Sequence, residues 1–591
     1  MQRARRDEAR QADDQRAAAA DAAGEPIAQQ RADGAAEAGG REQRPARAAD
    51  LGAHERQQRA EHVGVEVERE GREREGGDRE RFTARRRSIL GVRWVRCHDG
   101  SIIAAIARAV SRRYRFHGRF QRAGFRALRA RVWLRKRDRP ALGVQPVKIA
   151  ILGGGISGAA LARMLAADGH RVVVLEKAER AGGLCKSRRY GEFTFDEAGG
   201  HIVFSKDKKV LDWQIDRCGG EAGVGKTVRN TKIRWHDRWV PYPFENGVGH
   251  LTQEAIVDCL AGYIEAFAQR RAGAPCPPNF GDWIQWRMGA GFGRQFMVPY
   301  NEKIWKRDLR TLASDWVAGR VPEAPIEDIV KSAIGIDTEG YTHQSVFWFP
   351  KHGGFETMVR GTVAGGGFTL QCGVAAERVE RAGSGYKVNG EAFDLVVNTV
   401  PLPQVEGAFA DIPEPIRADI RALRPISLIN LMIGVQLDEP LPPLSWIYLP
   451  FPEQGPTNRV TYFSNYSPHN APAGHGSFLA EVTHRGDLKP DAAWLKGVVG
   501  ALGRAGILQP EKVVLLEWCD NEYAYIDQDL EFASRISRVR KWFDESGYIT
   551  FGRFGRYEYH NSDQCVQRAM QVHEHIRQLA AAGAPAPLRL P

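Results

Sequence analysis

The hydrophobic pattern after Pro146 predicts a strand, a helix and a second strand in close succession. Residues 147–152 (VKIAIL) are apolar apart from one lysine, as expected of a strand buried on both faces of a parallel sheet. A helix is predicted from Ser157 to Asp168, and Gly169 ends it. A second apolar run, residues 171–175, predicts the next strand, which has Glu176 at its tip. This order of elements is typical of a βαβ unit.

The turn between the first strand and the helix has the spacing G-x-G-x-x-G at Gly153, Gly155 and Gly158. In a dinucleotide fold the first glycine permits the turn, the second lets the backbone approach a pyrophosphate, and the third allows close helix–strand packing. The helix from Ser157 directs its first N–H groups at the phosphates. Glu176 can accept from both hydroxyls of an adenosine ribose and would repel a 2′-phosphate. The spacing alone also fits an ordinary turn, but the complete unit favours dinucleotide binding.

Two further glycine-rich segments favour a flavin. Residues 177–187 (KAERAGGLCKS) contain a second glycine pair preceded by Arg180 and suit the flavin side of the FAD pyrophosphate. Their candidate cofactor residues are Lys177, Gly182, Gly183 and Leu184. Residues 195–205 (FDEAGGHIVFS) would pass the isoalloxazine ring through Gly199, Gly200 and His201. These segments resemble the FAD domain of the amine oxidase and UDP-galactopyranose mutase superfamily. The resemblance implies that the dinucleotide is FAD.

The rest of the chain alternates between helical and strand-like regions. Residues 251–271 are predicted to form a helix whose apolar positions are Ile256, Cys259, Leu260, Tyr263, Ile264 and Phe267. The region to about residue 335 is helix-rich, and strand-like segments return from about residue 340. FDLVVNTVPLPQ, from Phe393, resembles a returning strand of the flavin domain, whereas LINLMIGVQL and SWIYLP are predicted strands of a substrate sheet.

The expected fold class is α/β, with a Rossmann-type FAD-binding domain built from discontinuous segments, an inserted helical domain and an antiparallel-sheet substrate domain. The predicted boundaries are 1–146 for a basic extension, 147–235 for the first part of the FAD-binding domain, 236–340 for a mainly helical substrate or cap domain, 341–540 for the substrate sheet with returning FAD-domain strands, and 541–585 for the last part of the FAD-binding domain.

A more specific resemblance extends in order across most of residues 147–580. The segments VPYPFEN, FMVPYNEKIW, DWVAGRV, SWIYLP, NRVTYFSNYSPHN and GRFGRYEYHN are similar to the UDP-galactopyranose mutase family, and closer to its eukaryotic branch. That family uses reduced FAD without net redox: flavin N5 attacks the anomeric carbon, UDP leaves, and the sugar ring opens and recloses as a furanose. The resemblance therefore implies UDP-galactose as substrate, with NADPH as the expected reductant.

The same resemblance implies roles for individual residues. The expected catalytic residues are His201, Arg320 and Arg459, and the two arginines are expected to bind the diphosphate. Arg553 is expected beside the flavin, and Asn561 at the matching pocket position. The expected substrate contacts are Tyr448, Tyr523 and Tyr559 at the diphosphate, Trp446 in the pocket, Asn301 and Trp305 along the nucleotide–sugar passage, and Tyr242, Phe244 and Phe296 on the substrate side. No metal site is expected.

Glu245 departs from the family pattern, in which a glutamine is expected at this position. A glutamine amide accepts from uracil N3–H and donates to the neighbouring carbonyl, whereas a carboxylate only accepts. Three alternatives remain open: Glu245 turns away, a protonated Glu245 or a water repairs the contact, or the natural base presents adjacent donors. We expect UDP to be the nucleotide, because every diphosphate-binding position matches the family.

Charge separates residues 1–146 from the rest of the chain. They contain 34 basic and 21 acidic residues, whereas residues 147–591 contain 50 and 51. Arginine accounts for 33 of the 34 basic residues, and alanine and glycine are abundant. This composition favours translated G+C-rich DNA or a disordered extension over a nucleic-acid-binding arm. Val147 would then be an alternative initiator position, and a chain starting there is expected to fold and bind FAD.

The remaining features restrict the class of protein. The eight cysteines form no C-x-x-C pair, which favours reduced thiols and a cytoplasmic location. No signal peptide or membrane insertion is expected, and no nucleic-acid partner. The oligomeric state is open, with a homo-oligomer among the alternatives. The rival function is an FAD-dependent oxidoreductase of the amine oxidase or protoporphyrinogen oxidase type, which would have no reason to retain paired phosphate-binding arginines.

Overall fold

The computed structural model describes residues 146–317, 324–336, 338 and 345–582. Apart from Pro146, the predicted basic extension lies outside the described residues, and so does Arg320. In chain order the strands are β1 Lys148–Leu152, β2 Arg171–Glu176, β3 Ser187–Tyr190, β4 Phe193–Asp196, β5 Val224–Val228, β6 Thr231–Trp235, β7 Arg238–Pro241, β8 Val346–Pro350, β9 Thr369–Cys372, β10 Val379–Ala382, β11 Gly385–Val388, β12 Glu391–Phe393, β13 Leu395–Asn398, β14 Pro425–Gln436, β15 Trp446–Tyr448, β16 Arg459–Tyr462, β17 His475–His484, β18 Val513–Ile526 and β19 Ile549–Thr550.

The α-helices interleave with these strands along the chain. They are α1 Ile156–Ala167, α2 Lys208–Arg217, α3 Gln253–Arg271, α4 Phe280–Phe292, α5 Val298–Trp305, α6 Ile326–Ala333, α7 Glu356–Val363, α8 Leu402–Val405, α9 Glu414–Arg421, α10 Ala492–Arg504, α11 Phe532–Ser546 and α12 Ser562–Ala582. Among the described residues, no helix combines the length and the hydropathy needed to cross a membrane.

Five segments between residues 148 and 550 form one parallel sheet. Its strand order is β19-β13-β1-β2-β9, and every neighbouring pair is parallel. β1 is buried on both faces, with Ile149, Ala150 and Ile151 fully inaccessible, because α1 and α12 cover one side and the cluster around Phe554 covers the other. This is the predicted βαβ unit with strands returning from much later in the chain, and the α/β class is confirmed.

A second, seven-stranded sheet has the order β18-β14-β17-β16-β15-β6-β7. Its neighbouring strands are antiparallel except for β15 and β6. The predicted substrate strands LINLMIGVQL and SWIYLP lie in β14 and β15 of this sheet. β6 lies in the predicted first FAD-binding part, 147–235, and β7 in the predicted helical region, 236–340, so the sheet draws on three of the predicted regions.

Helices α3 to α6 lie between β7 and β8 in the chain. α3 and α4 approach closely at glycines, since a Cβ added at Gly289 would lie 2.2 Å from the carbonyl oxygen of Gly262. The buried positions of α3 are Ala255, Cys259, Tyr263 and Ala266. Ile264, predicted on the buried face, is 51% exposed, because it follows Tyr263 by one residue and a helix turns by about 100° per residue.

Candidate functional site

A cavity of about 870 Å³, here called the main cavity, opens at the carboxyl ends of β1, β2 and β13. This edge of a parallel α/β sheet is where ligands bind in such folds. The volume lies within the range of cofactor and ligand pockets. The predicted cofactor residues that line it are Gly153, Gly155, Ser157, Glu176, Lys177, Gly182, Gly183, Leu184, Gly200, His201, Arg553 and Asn561.

The glycine loop leaves space and unpaired N–H groups at the start of α1. Gly155 precedes the helix and provides no side-chain cap, so the first-turn N–H groups remain available to an anion. A Cβ added at Gly155 would meet only the Cα of Gly183, at 3.9 Å. A Cβ at Gly158 would instead lie 2.1 Å from the carbonyl oxygen of Gly153. Gly155 therefore faces the cavity, whereas Gly158 allows the helix to pack, and the loop fits a dinucleotide pyrophosphate.

Two backbone N–H groups fix the carboxylate of Glu176 at the tip of β2. Gly154 N–H donates to Oε2 at 2.7 Å, and Ala178 N–H donates to Oε1 at 2.9 Å. Each carboxylate oxygen can accept further hydrogen bonds. Glu176 is thus oriented on the cavity wall with capacity left for ribose hydroxyls.

Arg180 does not line the main cavity. Its guanidinium pairs with Glu197 and Glu356 and donates to the carbonyl oxygen of Ser187 at 3.0 Å. Glu356 lies at the start of α7, 176 residues further along the chain. Arg180 therefore ties the second glycine loop to a distant helix.

His201 is a neutral histidine on the cavity wall. Its Nδ1 lies 3.0 Å from the carbonyl oxygen of Gly199, and because a carbonyl only accepts, Nδ1 carries the proton and Nε2 is an acceptor. Burial, and then the positive charge of Arg459, lower the pKa of His201 to about 4. The ring also stacks on Phe355 at 5.0 Å between centroids. His201 is held in one tautomer at neutral pH.

Four polar residues form a row across four neighbouring strands of the seven-stranded sheet. Tyr448 on β15 is opposite Arg459 on β16, which is opposite Glu481 on β17, which is opposite Asn430 on β14. Directly opposite residues lie on the same face of a sheet. We call this set the polar row, and its members Tyr448 and Arg459 line the main cavity.

Glu481 holds Arg459 in place within the polar row. The Nε and Nη2 atoms of Arg459 donate to Oε1 of Glu481 at 2.8 and 2.6 Å, and Tyr525 lies 3.4 Å from Oε2. Glu481 is fully inaccessible, whereas the Arg459 side chain is 27% exposed. Burial alone would lower the pKa of Arg459, but Glu481 raises it well above the ordinary value. The guanidinium is therefore a fixed, permanently charged group at the cavity wall.

Arg553 provides a second cation on the wall, bound by carbonyl groups. Its Nη1 donates to His560 O at 2.7 Å and its Nη2 to Ala524 O at 2.8 Å. The guanidinium lies 4.6 Å from the ring centroid of Tyr559. Because carbonyl oxygens carry no full charge, Arg553 contributes positive potential to the cavity.

The predicted substrate-side residues Trp446, Tyr448, Tyr523 and Tyr559 line the same cavity. The indole N–H of Trp446 donates to the Tyr448 hydroxyl at 2.9 Å, so that hydroxyl keeps its own proton for a further acceptor. Burial, and then the charge of Glu522, raises the pKa of Tyr523 to about 12. Because burial also raises the pKa of Tyr448, the side chains of Tyr448 and Tyr523 are hydroxyl donors at neutral pH.

Six other predicted substrate residues lie behind this wall and do not line the main cavity. The rings of Phe244, Phe296 and Tyr300 pack in sequence and reach Tyr448, with centroid distances of 4.9, 5.1 and 5.2 Å. Asn301 accepts from the Trp305 indole at 3.3 Å, and Trp305 packs on Tyr525 at 6.3 Å. The six residues are Tyr242, Phe244, Glu245, Phe296, Asn301 and Trp305, and apart from Asn301 and Glu245 they belong to or pack on one apolar cluster.

Glu245 is buried beside this cluster and does not turn toward solvent. It is 6% exposed, and burial raises its pKa to about 7, with its own backbone N–H opposing the shift. Near neutral pH the side chain is therefore divided between a carboxylate and a neutral acid, and the neutral acid can donate a hydrogen bond as an amide does.

Sequence reasoning missed Glu481 and Tyr525. Tyr525 lines the main cavity, and Glu481 holds Arg459 from behind the wall. A signal for Glu481 was present, because it is the one acid in the otherwise apolar and uncharged run GSFLAEVT, and a charge in a buried strand is expected to have a partner. Tyr525 follows Tyr523 by two residues, so both side chains are expected on one face of β18.

Comparison with known proteins agrees with this geometry. The family model described as an NAD(P)-binding Rossmann-like domain matches residues 151–213. A crystal structure of reduced UDP-galactopyranose mutase is 26% identical, covers 73% of this chain and 96% of its own, and superposes with a TM-score of 0.67. A protein provisionally assigned as a protoporphyrinogen oxidase from Exiguobacterium sp. 255-15 is 18% identical, covers 74% of this chain and 100% of its own, and has a TM-score of 0.57.

Curated sequences match over short stretches. The 15-cis-phytoene desaturase of an Oncidium hybrid cultivar is 26% identical over 116 residues, which are 20% of this chain and 18% of that protein. An uncharacterized protein in the nifH2 3′ region of Methanothermococcus thermolithotrophicus is 46% identical over 57 residues, 10% of this chain and 54% of that protein. The chain thus spans less than a fifth of the length of the first curated relative and about half of the length of the second. The resemblance to UDP-galactopyranose mutase is confirmed, and residues 151–213 form an NAD(P)-binding Rossmann-like domain.

Proposed function

We propose that this chain is a flavin-dependent mutase that interconverts the pyranose and furanose forms of a nucleotide-diphospho-sugar, with UDP-galactose as the leading substrate. The observation that carries the proposal is the main cavity itself. Arg459, Arg553, Tyr448, Tyr523 and Tyr559 line the same cavity as a glycine loop that fits a dinucleotide pyrophosphate. The solved mutase structure, at 26% identity and 96% coverage of its length, supports the same function.

FAD is the cofactor that this part of the cavity fits. Gly155 and the first turn of α1 would hold its pyrophosphate, Glu176 its adenosine ribose, and Gly200 would pass its ring. When bound and reduced, the flavin supplies N5 as the nucleophile that displaces the nucleoside diphosphate from the anomeric carbon. The protein's contributions are binding, orientation and charge stabilisation.

The departing diphosphate requires fixed positive charge and hydroxyl donors. Arg459 supplies a guanidinium whose Nε and Nη2 are already held by Glu481, so its remaining N–H groups are oriented before the ligand binds. Tyr448 adds a hydroxyl whose oxygen already accepts from Trp446. This preorganisation lowers the entropic cost of binding the diphosphate. Arg320 is the second arginine implied by the family, and its role stays a prediction.

His201 contributes an acceptor rather than a charge. With its proton fixed on Nδ1 by Gly199, its Nε2 lone pair can accept from an N–H group of a bound ring. The neutral imidazole avoids placing a third cation beside Arg459 and Arg553. We therefore assign His201 the task of orienting the cofactor.

Glu245 is compatible with uracil in its protonated form. With a pKa of about 7, the neutral acid presents one donor and one acceptor, the pair that uracil N3–H and its adjacent carbonyl require. This choice among the three alternatives keeps UDP as the nucleotide.

The decisive experiment is incubation of dithionite-reduced, FAD-loaded protein with UDP-galactopyranose and with UDP-galactofuranose, followed by chromatography. We expect conversion in both directions with reduced protein and none with fully oxidised protein. The oxidised protein serves as the matched control. Sustained conversion by oxidised flavin would rule out the nucleophilic mechanism, whereas absence of both conversion and UDP binding in the reduced protein would favour the oxidoreductase alternative.

A further inference from the structure

A second cavity lies beside the β3–β4 hairpin. It has a volume of about 930 Å³ and shares none of its lining residues with the main cavity. The hairpin, the turn before α7, residues 437–441 and residues 464–475 form its walls. We call it the hairpin cavity, and the proposed mutase function does not use it.

The lining of the hairpin cavity is strongly basic, although residues 147–591 as a whole are close to neutral. Glu192 is the one acid among its described lining residues. Arg188 is paired with Glu197, at 3.0 Å. The basic lining residues are Arg188, Arg189, Arg360, His352, His469 and His475. Such a concentration of basic groups in a concave surface produces a local positive potential that attracts anions.

Two of the arginines have N–H groups left for a ligand. Arg189 Nε donates to Gly191 O at 2.7 Å, and Arg360 Nη2 donates to Gly353 O at 3.1 Å and Thr357 Oγ1 at 2.9 Å. Among the residues that the structure describes, no ion pair joins either arginine to a carboxylate. A guanidinium has five N–H donors, so each keeps donors and its full charge.

The histidines and an apolar wall complete the cavity. The rings of His352 and His469 lie 4.0 Å apart between centroids, and an imidazole ring has at least one N–H that can donate. Leu437, Leu441 and Pro472 provide apolar surface on the same cavity. Guanidinium and imidazole donors match the oxygens of a phosphate group, and the apolar wall accommodates an organic substituent.

We propose that the hairpin cavity binds a small organic phosphate, with Arg189 and Arg360 as its principal phosphate contacts. The test uses the full-length, FAD-loaded protein in calorimetric titrations at low ionic strength, with inorganic phosphate and phenyl phosphate as probes. We expect both probes to bind, phenyl phosphate more tightly because of the apolar wall. The double variant Arg189→Gln/Arg360→Gln should weaken both by at least tenfold. Arg378→Gln, which removes an exposed arginine outside both cavities, should change neither.

A further arm separates this site from the main cavity. Arg459→Ala should leave phenyl phosphate binding to the hairpin cavity unchanged, whatever it does to UDP. Loss of phenyl phosphate binding in Arg459→Ala would locate the probe in the main cavity and overturn the proposal. Equal affinity of the wild type and the double variant, no binding of either probe, or binding of a single-stranded oligonucleotide without binding of phenyl phosphate would also overturn it. Unchanged thermal unfolding of the double variant verifies that it remains folded.

Discussion

Replacing Arg459 by alanine removes two roles at once, because this residue both pairs with Glu481 and supplies a cation to the main cavity. The variant removes both guanidinium donors from Glu481, which is fully inaccessible. What remains beside the carboxylate is the Tyr525 hydroxyl at 3.4 Å. The perturbation therefore leaves a buried charge without its counterion, and the same substitution removes a cation from the main cavity.

The two effects have different magnitudes. Removing one partner of a buried ion pair costs roughly 3–5 kcal/mol of folding stability. Because Arg459 is 27% exposed, we expect a value near the lower end, about 3 kcal/mol. The loss of charge-assisted contacts to a diphosphate should cost about 2–5 kcal/mol in transition-state stabilisation, which is roughly 30-fold or more in kcat/KM.

The double variant Arg459→Ala/Glu481→Gln distinguishes these roles. The neutral amide removes the uncompensated charge, so denaturant unfolding should show stability recovered to within about 1 kcal/mol of the wild type. UDP affinity of the reduced protein, measured by calorimetry, should stay as low as in Arg459→Ala. Arg378→Ala is the matched control, since its pair with Glu380 is exposed and should contribute less than about 1 kcal/mol. If the double variant regains wild-type UDP affinity, Arg459 acts only by neutralising Glu481, and the diphosphate assignment is wrong.

Three further predictions concern single positions. Because the pKa of Glu245 is raised to about 7 in the folded protein, its contribution to stability is complete below the ordinary carboxyl range and is lost as the pH rises through about 7. Between pH 5 and 8 the variant Glu245→Gln should therefore be more stable than the wild type, by up to about 3 kcal/mol. It should also preserve or tighten UDP binding. A tenfold loss of UDP affinity in that variant would show that the carboxylate itself makes a productive contact. With its pKa near 4, His201 should show constant NMR shifts between pH 5.5 and 8, and an inflection near pH 6.5 would contradict the neutral assignment. Gly155→Ala should fold but lose at least tenfold in FAD affinity, because its Cβ enters the main cavity. Gly158→Ala should instead impair folding, because its Cβ clashes with the carbonyl oxygen of Gly153. Retention of FAD by folded Gly155→Ala, measured by flavin absorbance, would refute the proposed pyrophosphate site.

The sequence by itself determined the local parts of this protein. The βαβ unit, its glycine turn and the acid at the tip of β2 are encoded within about thirty consecutive residues, where hydrophobic period and glycine placement act over short distances. In the structure Gly153, Gly155 and Glu176 line the main cavity. Two strands of the seven-stranded sheet, β14 and β15, were also visible as apolar runs. These features follow from backbone geometry and burial, which each segment expresses on its own.

Tertiary structure alone decided which strands are neighbours and which charges are paired. β13 lies beside β1 although about 240 residues separate them, and Arg180 meets Glu356 from 176 positions away. Arg459 meets Glu481 because β16 and β17 pair in one particular register. Shifting that register by one residue would move Glu481 to the opposite face of the sheet. The two-residue period of a strand predicts which of its side chains share a face. Which residue lies opposite on the next strand is set by the packing of the whole domain. Only that packing excludes water from an ion pair, and a buried charge without its partner costs several kcal/mol of folding free energy.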